Sequence, residues 1–111
     1  MAGKFVTFTG KDGKHYFSLK AGNGEVILKS QGYKAEKDCA NGIESVRRNA
    51  QVEARFETKT SADEKHYFVL KATNGQIIGQ SQMYKTASGC ANGIASVGRN
   101  AADAKVEASA D

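Results

Sequence analysis

Two histidines and two cysteines are the side chains of this chain best suited to holding a metal or attacking a carbonyl. They come as matched pairs, His15 with His66 and Cys39 with Cys90. Structural zinc is held by ligands in tight local pairs such as C-x2-C. Here each histidine precedes its cysteine by 24 residues, and no pair is local. A reactive thiol needs a base beside it and an electropositive surround, and nothing in the sequence shows either. Both cysteines fall on apolar helix stripes, where a free thiol packs as a small hydrophobe. We read them as core residues and expect no metal and no cofactor. Paired carboxylates with a plausible cleft are absent, and Gly22-Asn23-Gly24 joins two strands instead of opening a phosphate-binding helix. The expectation is a protein that is not an enzyme.

Two further groups could bind without catalysing. Tyr16, Lys20, Tyr67 and Lys71 project from the strand faces opposite Phe17, Leu19, Phe68 and Leu70. Interleaved aromatic and basic residues on an open sheet can stack bases and track phosphates. The same alternation is also how ordinary solvent-facing strands look. Asn41, Ser45 and Arg48 fall at i, i+4 and i+7 of a helix, and Asn92, Ser96 and Arg99 repeat them. Such a stripe could contact an anion or a peptide. The plainer reading, hydrogen bonds tying the helix edge to loops, carries more weight.

The elements that place these residues are written twice. Phe5–Ala50 recurs as Phe56–Ala101 at an offset of 51, with 28 of 46 paired positions identical. Each copy opens with a short β-branched and aromatic strand, Phe5–Thr9 in the first. An Asp12-Gly13 turn follows, replaced by the looser-reading Asp63-Glu64. His15–Ala21 forms the next strand, and Asn23-Gly24 and Asn74-Gly75 are strong hairpin signals. A third strand runs over 25–30 and 76–81. Its facing is open, because Val26-Ile27-Leu28 is one apolar run; the replacement of Leu28 by Gly79 points Ile27 and Ile78 to the core.

The period then shifts from two to 3.6. Cys39, Ile43, Val46 and Ala50 make one helix stripe, and Cys90, Ile94, Val97 and Ala101 its copy. Ser88 or Thr86 could cap the second helix, with only Asp38 near the first. Asn-Gly inside each helix costs ~1 kcal/mol relative to alanine. Its presence in both copies suggests a close approach at Gly42 and Gly93, to the sheet or to the partner helix. Val52-Glu53-Ala54 reappears as Val106-Glu107-Ala108, displaced by 54. Each unit therefore reads strand-strand-strand-helix-strand, with one long strand through 52–60 crossing between halves.

These residues carry a family resemblance. The pattern Tyr16-Phe17…Leu19-Lys20-Ala21…Asn23-Gly24…Ile27…Ser30…Tyr33…Asn41-Gly42-Ile43…Ser45-Val46…Asn49-Ala50, present twice, closely resembles the YegP-like proteins. The resemblance implies a β3-α-β unit that occurs as tandem repeats or as a homodimer of single units, the units sharing one sheet and exchanging their C-terminal strands. It transfers no catalytic residues, since that family has no established activity. Ala40 and Ala91 stand where an acidic residue often precedes Asn-Gly, so any role of that acid is in doubt here.

Bulk properties close the reading. The 111 residues carry a formal charge of +4 from 16 Lys/Arg against 12 Asp/Glu, a mild excess with no basic run beyond Arg47-Arg48. Two cysteines make no disulfide scaffold, and no apolar stretch approaches the length of a membrane span. The start, Met1–Phe5, lacks a signal-peptide core. A cytoplasmic setting is expected.

The expected fold is α+β. One mostly antiparallel sheet of about eight strands carries two helices on one face and exchanged C-terminal strands. It forms a single domain over 1–111, of two pseudo-symmetric repeats (about 4–54 and 55–108), and is expected to be monomeric. The expected function is a small non-enzymatic cytoplasmic module that binds a protein partner through the open sheet face or the helix polar stripe. The alternative is weak single-stranded nucleic-acid binding through the open sheet face.

Overall fold

The structure, a computed structural model, describes residues 3–108. Strands β1 (Lys4–Thr9), β2 (His15–Lys20) and β3 (Val26–Lys29) lead into helix α1 (Glu36–Asn49). The second copy supplies β4 (Phe56–Thr60), β5 (His66–Lys71), β6 (Ile77–Gln80) and α2 (Ala87–Asp103), and β7 (Lys105–Ala108) is the last described element. Among the described residues the sheet has seven strands, in the order β4-β5-β6-β3-β2-β1-β7. Every neighbouring pair is antiparallel except β1 with β7. The α+β reading holds, with two tandem repeats sharing one sheet and two helices on one face.

Turn chemistry explains the hairpins. Gly13, Gly24 and Gly75 take positive φ, which the tight turns require and glycine permits. Glu64, the counterpart of Gly13, adopts φ 66° as well, at a cost on the order of 1 kcal/mol for a residue with a side chain. The second turn is therefore no looser; it repeats the first.

The undecided third strand resolves through a bulge. On β3, register shifts between Leu19 and Lys20, so the extra residue Ile27 lies between the partners of these two. Such a bulge turns two successive side chains toward one face. Ile27 and Leu28 are accordingly both buried in the core. β6 repeats the shift, and Gly79 leaves the space that Leu28 fills: a Cβ on Gly79 would come 2.7 Å from the Leu28 Cδ2.

The strand exchange runs one way. β7 pairs with β1 of the first unit, Val106 opposite Phe5. The matching segment Val52-Glu53-Ala54 does not form the expected strand; Glu53–Arg55 is a 3-10 turn that leads straight into β4. The reason is topological. Parallel neighbours need a crossover of a dozen or more residues, and this segment has none before the strand it would join. The long strand expected over 52–60 is thus a turn plus β4, and the sheet has seven strands where eight were expected.

Both helices lie on the sheet face that carries Phe5, Phe17, Leu19, Phe68 and Leu70, and each reaches strands of both units. Gly42 has its physical reason here. A Cβ there would land on the Tyr33 hydroxyl and 3.1 Å from the Phe17 ring, whose face stacks on Tyr33. Gly93 meets Tyr84 and Phe68 in the same way. Of the two approaches considered, the one made is to the sheet side. Thr86 caps α2 by accepting from the Gly89 N–H at 2.9 Å, whereas Ala35 at the α1 start offers no side-chain cap.

One residue without a counterpart locks the ends together. Arg47 donates to the Ala101 carbonyl at 3.2 Å and to the Ala104 carbonyl at 2.6 Å, where α2 gives way to β7. Its guanidinium also lies 5.2 Å from the centre of the Phe5 ring. The equivalent position holds Gly98.

Candidate functional site

Away from the helices, the sheet presents an open face. Cross-strand register puts Lys4, Val6 and Phe8 beside Lys20, Ser18 and Tyr16, with Glu107 flanking Val6. On the other side Tyr67, Val69 and Lys71 stand beside Lys59, Glu57 and, across β6, Gln80 and Ile77. Lys29 and Gln80 meet in the middle, the single ladder pair that joins the two halves. All four strand residues proposed from sequence, Tyr16, Lys20, Tyr67 and Lys71, share this face. They are split between its halves, because β3 and β6 separate β2 from β5. With strands about 4.8 Å apart, the two pairs stand roughly 14 Å from each other.

Local contacts decide which of these groups are free. Tyr16 donates its hydroxyl to the Asp12 carboxylate at 2.7 Å and stacks on Phe8, centroids 5.6 Å apart. That bond holds the Asp12 carboxyl below its usual range, helped by the Lys14 amide, and pushes the Tyr16 phenol up. Glu57 is held below the usual carboxylate range by Lys71 first and Lys59 second. Lys4 pairs with Glu107 at 3.5 Å. Lys20 and Lys29 make no ion pair among the described residues. Phe8 and Ile77 are exposed at 41% and 42%, large for apolar side chains. Sequence reasoning passed over Phe8, Lys29 and Ile77. Phe8 alternates with Lys4 and Val6, a signal that was available; the facing of Ile77 depends on the bulge and was not.

The helix residues form no common site with the sheet residues. Asn41, Arg48, Asn92 and Arg99 are exposed on the helices, which cover the other side of the sheet. Within the stripe, Ser45 is used structurally: Asn49 donates to the Ser45 carbonyl at 2.8 Å and accepts from Arg55 at 3.1 Å. Asn100 repeats the bond to Ser96.

A cleft of about 510 Å³ opens between β1, α1 and the incoming β7, with Thr7, Thr9, His15, Glu36, Cys39 and Val106 among its walls. It brings a base and a thiol to one cavity, which nothing local in the sequence indicates. The thiol is in the wrong state for attack. Cys39 is 2% exposed, and burial, then the Glu36 charge, push its pKa up; burial does the same for Cys90. Among the described residues no three His, Cys, Asp or Glu side chains gather as metal ligands. No helix there is long and apolar enough to cross a membrane.

Comparison with known proteins returns relatives of the same build. A family described as "Domain of unknown function (DUF1508)" matches residues 11–57 and again 61–107. A UPF0339 protein of Pseudomonas aeruginosa is 50% identical over 99 residues, 89% of this chain and 90% of that protein. The UPF0339 protein YegP of Escherichia coli is 51% identical over 100 residues, 90% of this chain and 91% of its own. Among solved structures, a solution NMR structure of E. coli yegP, described as a protein of unknown function, gives a TM-score of 0.92 at 48% identity. It covers 97% of this chain and 93% of that one. A UPF0339 protein of Shewanella oneidensis gives 0.91 at 42% identity, covering 97% and 92%.

Proposed function

The chain belongs to the family described as a domain of unknown function (DUF1508), and from that premise we propose that it is a non-catalytic module that docks a protein partner on its open sheet face. One observation carries the reading: this face combines exposed Phe8 and Ile77 with Lys20 and Lys29, lysines that make no ion pair among the described residues. Apolar centres rimmed by charge are the composition of docking surfaces. The excess of lysine selects a partner with an acidic rim. The absence of catalysis is supported by the two buried thiols with raised pKa. The two free thiols also fit a reducing, cytoplasmic compartment, and the module works as a single chain, since the second unit already completes the first.

The test is capture from lysate with nuclease treatment in parallel, using the wild type and a Lys20→Glu/Lys29→Glu double variant. Both positions face solvent or its edge, so the variant should keep its fold and lose the partner. Equal capture by both proteins would remove the open face as the docking site. Single-stranded nucleic acid is the second reading, favoured by the Phe8–Tyr16 stack as an aromatic platform. Asp12 beside that stack works against it. Anisotropy with short oligonucleotides decides: no binding at low salt, or binding indifferent to salt, removes this reading.

A further inference from the structure

The one-way exchange leaves one sheet edge dressed and the equivalent edge bare. β1 carries β7 on its outer side; among the described residues, β4 has β5 on one side and no strand on the other. The backbone of that bare edge can be read from the turns. Ser61 donates to the Lys65 carbonyl at 2.8 Å, as Gly10 does to Lys14 at 2.9 Å. Alternation along an antiparallel ladder then sends the N–H and C=O groups of Phe56, Thr58 and Thr60 outward, as it sends those of Phe5, Thr7 and Thr9 toward β7.

Side chains register the difference. Phe5 and Ile43 are 0% and 2% exposed, whereas their counterparts Phe56 and Ile94 are only partly buried. Phe5 is covered by Arg47 as well as flanked by Val106, and Phe56 has neither, because Gly98 replaces Arg47. The two edges are otherwise alike. Lys4-Phe5-Val6-Thr7 corresponds to Arg55-Phe56-Glu57-Thr58, and the odd residue, Glu57, is neutralised by Lys71 and Lys59.

We propose that the outer edge of β4, with the α2 flank at Ala91 and Ile94, is an acceptor site for an extended peptide that adds as a parallel strand in the register β7 takes on β1. Strand addition of this kind draws affinity from main-chain hydrogen bonds and specificity from alternate side chains. The internal template defines the occupant. An aliphatic residue takes the place of Val106, against Phe56 and Ile94. The residue after it falls opposite Glu57, as Glu107 falls opposite Val6, so a basic side chain fits there where the template carries glutamate. The peptide belongs to another protein, because the matching segment of a second copy is already committed to its own β1. This goes beyond the docking reading above, since the edge is separate from the open face.

A blocked pentapeptide copying Ala104–Ala108 is the probe, titrated into the full chain and followed by amide shifts and hydrogen exchange. Shift changes and slowed exchange at Phe56, Thr58 and Thr60, spreading to Ala91 and Ile94, are expected. Replacing the peptide glutamate by lysine should strengthen binding by up to about fivefold, the scale of one cross-strand charge pair, because that position faces Glu57. Thr58→Pro deletes an outward N–H without touching the ladder to β5 and should abolish binding. Ala91→Arg, at an exposed helix position, should block the groove even if the proline variant fails to fold. The proposal is overturned by no response at millimolar peptide, by shifts confined to other surfaces, or by binding that survives Ala91→Arg. It is equally overturned if the chain alone dimerises with β4 protected, because the occupant would then be a second copy.

Discussion

Burial decides the chemistry of both thiols, and this much could be read from the chain: Cys39 and Cys90 sit on the same stripes as Ile43, Val46 and Val97, and the stripes are core. What could not be read is that His15 shares a cleft with Cys39, because β7 forms one wall of it from the far end of the chain. Neither thiol should react with a disulfide reagent in the native state, and both should react once the chain is unfolded. A fast native reaction would contradict the burial. Folding raises both thiol pKa values by desolvation. The neutral thiols therefore contribute stability below the ordinary thiol range, and that contribution is lost as pH rises through the folded values. Denaturant melts of a Cys39→Ala/Cys90→Ala variant should show a shallower loss of stability on the alkaline side than the wild type. A loss of the same steepness would place its origin elsewhere, in Tyr33 and Tyr84, whose phenols burial also raises.

Elements were legible where a local rule governs them and illegible where topology does. The Asn-Gly step inside each helix announced a close approach, but the partner, Tyr33 or Tyr84, comes from a loop bridge to His15 or His66 that has no periodic signature. In an isolated helix Gly42→Ala would gain ~1 kcal/mol. Here the added methyl meets the Tyr33 ring, and overpacking costs about 1–3 kcal/mol, so the variant should melt lower than the wild type. Tyr33→Phe in that background should recover part of the loss, because the hydroxyl is the nearest obstacle while Cζ remains 2.8 Å away. An increase in Tm for Gly42→Ala alone would show that the tyrosine yields freely. The closing segments misled for the opposite reason: Val-Glu-Ala occurs twice, and only the copy separated by a long stretch of chain from the strand it joins, as β7 is from β1, can lie parallel beside it.

At the scale of the molecule, the two units meet in the sheet at one pair, Lys29 with Gln80. They are held mainly by helices that lean across the join and by β7 and Arg47 at the far side. The first unit cut free, residues 1–54, would lose the Gly79 surface under Leu28, the α2 contacts on its strands, and β7. Sedimentation at high dilution should find it unfolded or self-associated, and a compact monomer would refute the interdependence. The pairing of repeats, their shared core and the exchange were legible; the failure of one exchange was not, because identical letters hide unequal connections. Leu28 over Gly79 has a last implication for anyone resynthesising the chain as a perfect tandem of its first half. Copying that half verbatim sets two leucines where the structure seats one, so the symmetric chain should be strained at the join and less stable than this one.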